Sequence, residues 1–185
     1  MGEAKRKTEA LQQSMLDEMH LWMGPASDYE RKLATEIATI PAVTVRRPPR
    51  ADMIRHGMRP QECHQNCISY CQLDPEGKST VVTGWWIRGD NYVSHSVVSR
   101  DGYLFCVTPY LWEERQFSFV PDTKIIWKEG PNGTVISERD GRPLELRVRM
   151  DPEITIRQCK EIRELLVKGM DPIKAWERVM GMSLR

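Results

Sequence analysis

A cysteine and a histidine are the residues of this sequence whose types and spacing are best suited to chemistry. Cys63 lies at the start of a predicted helix, and His95 lies 32 positions later in a predicted strand. A thiol ionises weakly at neutral pH, but the positive end of a helix dipole favours the thiolate. A nearby imidazole can accept the thiol proton and later return it to a leaving group. This arrangement predicts a cysteine nucleophile with a histidine general base.

The residues around Cys63 include candidate donors for the oxyanion of such a reaction. Backbone N–H groups in the first turn of a helix have no partner within that helix, and they can stabilise developing negative charge. The side chains of Gln61 and Gln65 are candidates for a further donor. His64 and Asn66 are candidates for substrate contact, with a helix-surface position and a backbone cap as their respective alternatives.

A predicted hairpin places further residues beside His95. Asp101-Gly102 is typical of a two-residue hairpin turn. With that turn, His95 is directly opposite Thr108, and Cys106 is a diagonal neighbour on the same face of the sheet. We therefore expect the side chains of Thr108 and Cys106 to lie close to the imidazole.

A second predicted hairpin, turning at Gly89-Asp90, places His95 opposite Gly84 on its other side. A glycine at this position would leave room beside the imidazole for a substrate or a thiol. Trp85 and Trp86 follow in the same strand and point to opposite faces of the sheet. We expect one of them to lie in the core and the other to be a candidate for lining a substrate cleft.

The predicted elements describe an α+β protein with helices at both ends and an antiparallel sheet between them. Apolar spacing and capping residues predict five helices: 4–22, 29–37, 61–71, 154–168 and 172–180. Alternating β-branched and aromatic residues predict strands that include 79–88, 92–100 and 103–108.

We divide the chain into four segments. Residues 1–42 form an N-terminal helical segment, 43–60 a basic extended connection, 61–150 the α+β core and 151–185 a C-terminal helical hairpin. The connection carries five arginines and three prolines, which favours a solvated linker, with an anion contact as the alternative. Its arginines are Arg46, Arg47, Arg50, Arg55 and Arg59.

Composition limits the classes of partner and location. Lys plus Arg total 27 and Asp plus Glu total 26, so a net charge of +1 gives no overall attraction to nucleic acid. No apolar run approaches the roughly 18 residues of a membrane span. Five cysteines is an odd number and no secretory signal is visible, so we expect reduced thiols and a cytoplasmic location.

A zinc site is the metal-binding alternative for the cysteines. Cys63, Cys67 and Cys71 recur at helical spacing and could be joined by His64 or His95. A second pair of ligands at the usual spacing is missing, so we expect neither a metal nor another cofactor. Cys67 and Cys71 are then small buried apolar residues.

Several short motifs between Gln61 and Pro109 resemble a group of uncharacterised bacterial and phage proteins. The shared pattern is Cys-His-x-Asn, Gly-Trp, His-[Ser/Ala]-Val and a closing Asp-Val-Thr-Pro. The corresponding residues here are Cys63-His64-Gln65-Asn66, Gly84-Trp85, His95-Ser96-Val97 and Cys106-Val107-Thr108-Pro109. The order of the motifs also resembles papain-like cysteine hydrolases of the NlpC/P60 and transglutaminase type. The resemblance covers 49 of the 185 residues, so it applies to about a quarter of the chain.

The resemblance implies a papain-like core in which the Cys-bearing helix packs on the sheet. It makes Cys63 the nucleophile and His95 the base. The position of the expected orienting aspartate is Cys106, and a thiol is a poor acceptor for an imidazole N–H. Either Thr108 or Asn91 takes over that role, or the site is weakened.

Two functions follow from these residues. The leading hypothesis is a cysteine-dependent hydrolase or acyltransferase that acts on a peptide, protein or other amide-type substrate. The alternative is a catalytically degraded module that holds a peptide or protein through Trp85 or Trp86. Binding of nucleic acid through the arginines of 43–60 and the terminal helices ranks last.

Overall fold

The computed structural model describes residues 2–110, 114–131 and 135–181. The helices are α1 (Gly2–Trp22), α2 (Asp28–Ala38), α3 (Arg50–Arg55), α4 (Cys63–Gln72), α5 (Pro152–Val167) and α6 (Pro172–Met180). The strands are β1 (Val43–Arg46), β2 (Thr80–Arg88), β3 (Asn91–Arg100), β4 (Tyr103–Phe105), β5 (Gln116–Pro121), β6 (Ile125–Glu129), β7 (Val135–Arg139), β8 (Arg142–Pro143) and β9 (Arg147–Arg149).

The chain forms two compact units, one from residues 1–31 with 151–185 and one from residues 32–150. In the first unit, α1, α5 and α6 share a core of apolar side chains: Met19, Cys159, Ile162, Leu166 and Ala175. The Asp171 carboxylate accepts from two backbone N–H groups at the start of α6, as its capping position predicts. The expected C-terminal helical hairpin is therefore present as far as residue 181, and residues 182–185 lie outside the described residues.

The second unit is built on a sheet that closes on itself. Its strand order is β2-β5-β1-β4-β3-β9, and β2 also pairs with β3, so five strands form a ring that β9 extends at one side. Apolar side chains fill the interior of this ring: Val45, Trp86, Val97, Cys106, Phe117 and Phe119. A separate sheet joins β6, β7 and β8. The α+β class with helices at both ends is thus confirmed, and the closure of the sheet is a feature that the sequence did not predict.

The helix α4 packs on the outside of the closed sheet. Its Cys67 is fully buried against Val98 of β3, in a cluster that also holds Val107 and Met53 of α3. Cys67 therefore has the apolar packing role expected of it, and burial raises the pKa of its thiol.

The prediction that 43–60 is an extended connection is wrong. Val43–Arg46 is β1, which pairs with β5 on one side and with β4 on the other, and Arg50–Arg55 is α3. The β-branched residues of β1 suit a pleated strand, and Val45 is fully buried inside the ring. The five arginines made this segment resemble a linker, although β1 completes the ring.

The predicted pairing of Gly84 with His95 is confirmed, but its expected consequence is not. A Cβ atom at Gly84 would lie 2.1 Å from the carbonyl oxygen of Val120, because β5 runs directly against β2 at this point. Glycine is required here for the close approach of two backbones. The space beside His95 at this position is therefore occupied by β5 and is not open to a substrate.

The hairpin at Asp101-Gly102 has the predicted register only near its turn. Val98 pairs with Phe105 and Arg100 with Tyr103, and the ladder then ends. Cys106 instead donates its backbone N–H to the carbonyl oxygen of Arg46 at 2.7 Å. After Phe105 the chain runs beside β1 instead of β3, so Thr108 is not paired with His95.

None of the helices among the described residues has both the length and the apolar character needed to cross a membrane.

Candidate functional site

The two faces of β3 separate the residues that the sequence analysis placed together. Successive side chains of a strand point to opposite faces. Val97 lies in the interior cluster of the ring, whereas Val98 packs outside with Cys67 of α4. His95 shares the face of Val97, so its imidazole points into the ring, away from the face on which α4 packs.

His95 is enclosed in this interior. It is 6% exposed, and its ring lies 5.7 Å from Trp86 and 5.6 Å from Phe117 between centroids. A hydrogen bond of 3.3 Å joins its Nε2 to Sγ of Cys106. Burial, assisted by the positive charge of Arg47, lowers the pKa of His95 to about 3, so the imidazole is neutral at physiological pH.

Cys63 is the first residue of α4 and is half-buried. Burial raises the pKa of its thiol, against the opposing effect of hydrogen bonds from the backbone of Ser96 and His64. Among the described residues no hydrogen bond joins Cys63 to His95. The structure therefore does not assemble the nucleophile and base that the sequence analysis paired.

Of the three candidates for orienting His95, the structure brings Cys106 to the imidazole. The hydroxyl of Thr108 instead accepts from Nδ2 of Asn66 at 3.3 Å. Oδ1 of Asn91 is buried and has no hydrogen-bond partner. Cys106 Sγ also accepts from the backbone N–H of Thr108 at 3.4 Å, so the thiol is held from two sides.

His64 makes contacts that the sequence did not predict. Its ring stacks on the indole of Trp127, with the centroids 3.6 Å apart and the planes inclined by 13°. Its Nδ1 hydrogen bonds to Oγ of Ser96 at 3.0 Å, and burial lowers its pKa to about 4. Trp127 Nε1 in turn donates to the hydroxyl of Thr83 at 3.1 Å. His64 is therefore a neutral residue held by α4, the sheet and β6, rather than a surface residue of the helix.

Asn66 has the structural role that was its alternative. Its side-chain oxygen accepts from the backbone N–H of Arg59 at 3.0 Å, and its Nδ2 donates to the Arg59 carbonyl at 2.7 Å. These bonds hold the chain before α4 in place. Gln61 and Gln65 are exposed, and Gln61 has a φ of 67°, in the left-handed region. The two glutamines therefore flank Cys63 at the surface.

Both tryptophans are buried, which differs from the expected division between core and cleft. Trp85 is on the outer face of β2, and its Nε1 donates to the carboxylate of Asp122 at 2.9 Å. Trp86 points into the ring and is 7% exposed. Its Nε1 is buried without a hydrogen-bond acceptor, in contrast to Nε1 of Trp85.

Arg47 lies beside Trp86, a position that could not be predicted from the sequence. It is 5% exposed, and its guanidinium lies 4.5 Å from the ring of Phe117, 4.8 Å from Trp86 and 5.1 Å from Tyr110. Nη1 pairs with the carboxylate of Glu114 at 3.1 Å, whereas Nε is buried without an acceptor. A local pattern rich in arginine and proline does not distinguish this residue from its exposed neighbours.

These contacts define one end of the closed sheet. Arg88 adds a second guanidinium there, 5.9 Å from the Trp86 ring and 5.5 Å from the Tyr110 ring. We call this region the Trp86 end; it comprises Arg47, Trp86, Arg88, Tyr110 and Glu114. It combines aromatic faces, positive charge and buried N–H groups, which are the components of a site for an anionic or hydrogen-bond-accepting group.

Within residues 2–110, 114–131 and 135–181, no group of three or more His, Cys, Asp and Glu side chains is arranged to hold a metal ion. Comparison with known proteins found no family model, no curated protein and no solved structure that matches this chain.

Proposed function

We propose that this chain is a binding module that holds a peptide or protein partner and does not turn it over at Cys63. The observation that carries the proposal is the position of His95. It lies inside the closed sheet, hydrogen-bonded to Cys106, on the face of β3 opposite to α4.

Nucleophilic catalysis by a thiol needs a base within hydrogen-bond reach, about 3 Å from the sulfur. To reach Cys63, His95 would have to leave the interior, lose its bond to Cys106 and cross β3. The raised pKa of Cys63 means that its thiol is protonated at neutral pH without such a base. These features support binding without turnover.

The Trp86 end is the surface that we assign to the partner. It places the Arg88 guanidinium and the Trp86 and Tyr110 rings at one end of the sheet. Aromatic rings and arginines are enriched where peptides and proteins bind, because they bury a large area and keep a polar group available.

The experiment measures cysteine reactivity and peptide binding on the same samples. Alkylation of Cys63 by iodoacetamide, followed by mass spectrometry from pH 5 to 9, should accelerate only at alkaline pH and should be unchanged by His95→Gln. Peptides selected from a randomised library should bind Cys63→Ala as tightly as the unaltered chain and should bind Arg88→Gln more weakly. Rapid, His95-dependent alkylation of Cys63 at low pH, or no change in binding on Arg88→Gln, would overturn the proposal.

A second candidate function is the cysteine-dependent hydrolase or acyltransferase. The observation that favours it is the position of Cys63 as the first residue of α4, where no side chain caps the backbone N–H groups of the first turn. Such donors also suit the oxyanion of an acyl-transfer reaction. This function predicts turnover of peptide amides or acyl esters that Cys63→Ser abolishes while the circular dichroism spectrum is retained. Equal rates for the two proteins, or no turnover in either, would exclude it.

A further inference from the structure

The Trp86 end contains two buried N–H donors without acceptors, Nε of Arg47 and Nε1 of Trp86. A buried donor without a partner destabilises the folded state, and native proteins supply an acceptor for most such groups. Both side chains are more than nine-tenths buried, and the guanidinium lies 4.8 Å from the indole centroid. The two unsatisfied donors therefore belong to side chains that lie against each other, so the shortage of acceptors is concentrated at one place.

The charge of the region indicates what kind of acceptor fits. Two guanidinium groups, of Arg47 and Arg88, lie within 6 Å of the Trp86 ring centroid. Guanidinium groups bind carboxylates through parallel N–H···O bonds, and a low-polarity aromatic surround strengthens such bonds. Glu114 already places a carboxylate against Nη1 of Arg47, at 3.1 Å. The region therefore already accommodates a carboxylate against the Arg47 guanidinium.

We propose that the Trp86 end binds a carboxylate of the peptide partner at the Arg47 guanidinium, beside Trp86 and attracted by Arg88, with the carboxylate of Glu114 as its internal competitor. This inference rests on the proposed function, because it names the chemical group by which the partner is held. A peptide carboxyl terminus and an acidic side chain carry the same group, and the experiment distinguishes them.

The test follows the indole N–H of Trp86 in ¹H–¹⁵N spectra, with the resonance assigned by Trp86→Phe or, if that variant does not fold, by through-bond assignment of the unaltered chain. Sodium acetate should shift this resonance saturably at constant ionic strength, and acetamide should not. Acetyl-Gly-Gly with a free carboxylate, its amide, and acetyl-Asp-Gly-amide then identify the source of the carboxylate.

Two variants of opposite expected sign make the test specific. Glu114→Gln removes the competitor and should tighten acetate binding about 2- to 5-fold, whereas the matched control Glu62→Gln, at another partly exposed ion pair, should leave it unchanged. Arg88→Gln should weaken acetate binding about 2- to 5-fold. A structural role of Glu114 would not produce tighter binding.

Equal shifts from acetate and acetamide would overturn the inference and would mean that water satisfies the two donors. A stronger response to phosphate than to acetate, or equal affinities in Glu114→Gln and Glu62→Gln, would also overturn it. The proposed function fails separately, through His95-dependent reactivity of Cys63. If the selected peptides bind through the Trp86 end equally well with and without a carboxylate, the carboxylate inference is wrong and the proposed binding function stands.

Discussion

Two arginines of the 32–150 unit are buried in different ways. Arg139 is 2% exposed, and its Nε donates to Asp122 at 2.7 Å while its Nη1 pairs with Glu36 at 2.7 Å and with Asp140 at 3.0 Å. Asp122, 1% exposed, also accepts from Trp85 Nε1. Arg47 has one carboxylate partner and three aromatic rings, and its Nε has no acceptor.

The difference separates a buried charge that supports the fold from one that we propose to bind a ligand. The carboxylates around Arg139 neutralise it, and its contacts join α2, β7 and the residue after β5. The surroundings of Arg47 leave part of its hydrogen-bonding capacity unused. Removing a fully paired buried charge lowers the free energy of unfolding strongly. Removing a partly paired one lowers it less, because fewer contacts within the folded chain are lost.

The largest expected effect is on Arg139. Arg139→Met leaves the buried carboxylate of Asp122 without its cation, and breaking a buried ion pair in this way costs about 3–5 kcal/mol. Urea denaturation followed by circular dichroism measures the loss. Lys128→Met removes an exposed ion pair with Glu138 in the same small sheet and should cost less than about 1 kcal/mol. Equal losses in the two variants would contradict the structural role of Arg139.

The next effect concerns pH. The pKa of His95 is lowered from 6.5 to about 3, so between these values the unfolded chain binds a proton that the folded chain does not. The stability that comes from the neutral imidazole is therefore present above pH 6.5 and is lost as the pH falls. Between pH 6.5 and pH 5, the free energy of unfolding of the unaltered chain should therefore fall by about 1.5 kcal/mol more than that of His95→Gln.

The matched control for this measurement is His56→Gln, at an exposed position on the C-terminal side of α3. A change in the pH profile that occurs with His95→Gln and not with His56→Gln is specific to His95. Parallel pH profiles for His95→Gln and the unaltered chain would show that His95 is not shielded from protons in the folded state.

A smaller effect is expected for Arg47. Arg47→Met loses the contacts of a cation with aromatic rings, but it also removes the cost of burying a charge and an unsatisfied N–H. The two contributions oppose each other, so we expect a change within about 1 kcal/mol in the free energy of unfolding. Urea denaturation of Arg47→Met and Arg139→Met measures the two losses in the free energy of unfolding. Equal losses would mean that the two arginines do not differ in their contribution to stability.

The smallest effect on stability is expected for Glu114→Gln. The Glu114 side chain is 40% exposed, and an ion pair with one partly solvated partner contributes less than about 1 kcal/mol. Thermal unfolding should therefore be nearly unchanged, although binding of acetate tightens. A large drop in the unfolding temperature would show that Glu114 belongs to the fold in the way that Asp122 does.

Parts of the candidate site could be predicted from the sequence, and particular residues show why the rest could not. The pairing of Gly84 with His95 follows from a two-residue turn, and the contact of Cys106 with His95 was expected, although the chain achieves it by following β1. The face on which His95 lies could not be predicted. Both faces of β3 mix apolar with polar residues and both contain buried side chains, so alternation along the strand does not show which of them meets α4.

Several turns and helix starts of this protein follow from local sequence alone. Asp101-Gly102 and Asp140-Gly141 adopt positive φ angles at hairpin turns, and Asp171 with Pro172 begins α6, because these residues act on their own backbone. The closing of the ring by β1, the stacking of His64 on Trp127, and the different pairing of Arg139 and Arg47 arise in the folded chain. Each of these features depends on side chains that are distant in sequence, and no local propensity encodes which of them meet.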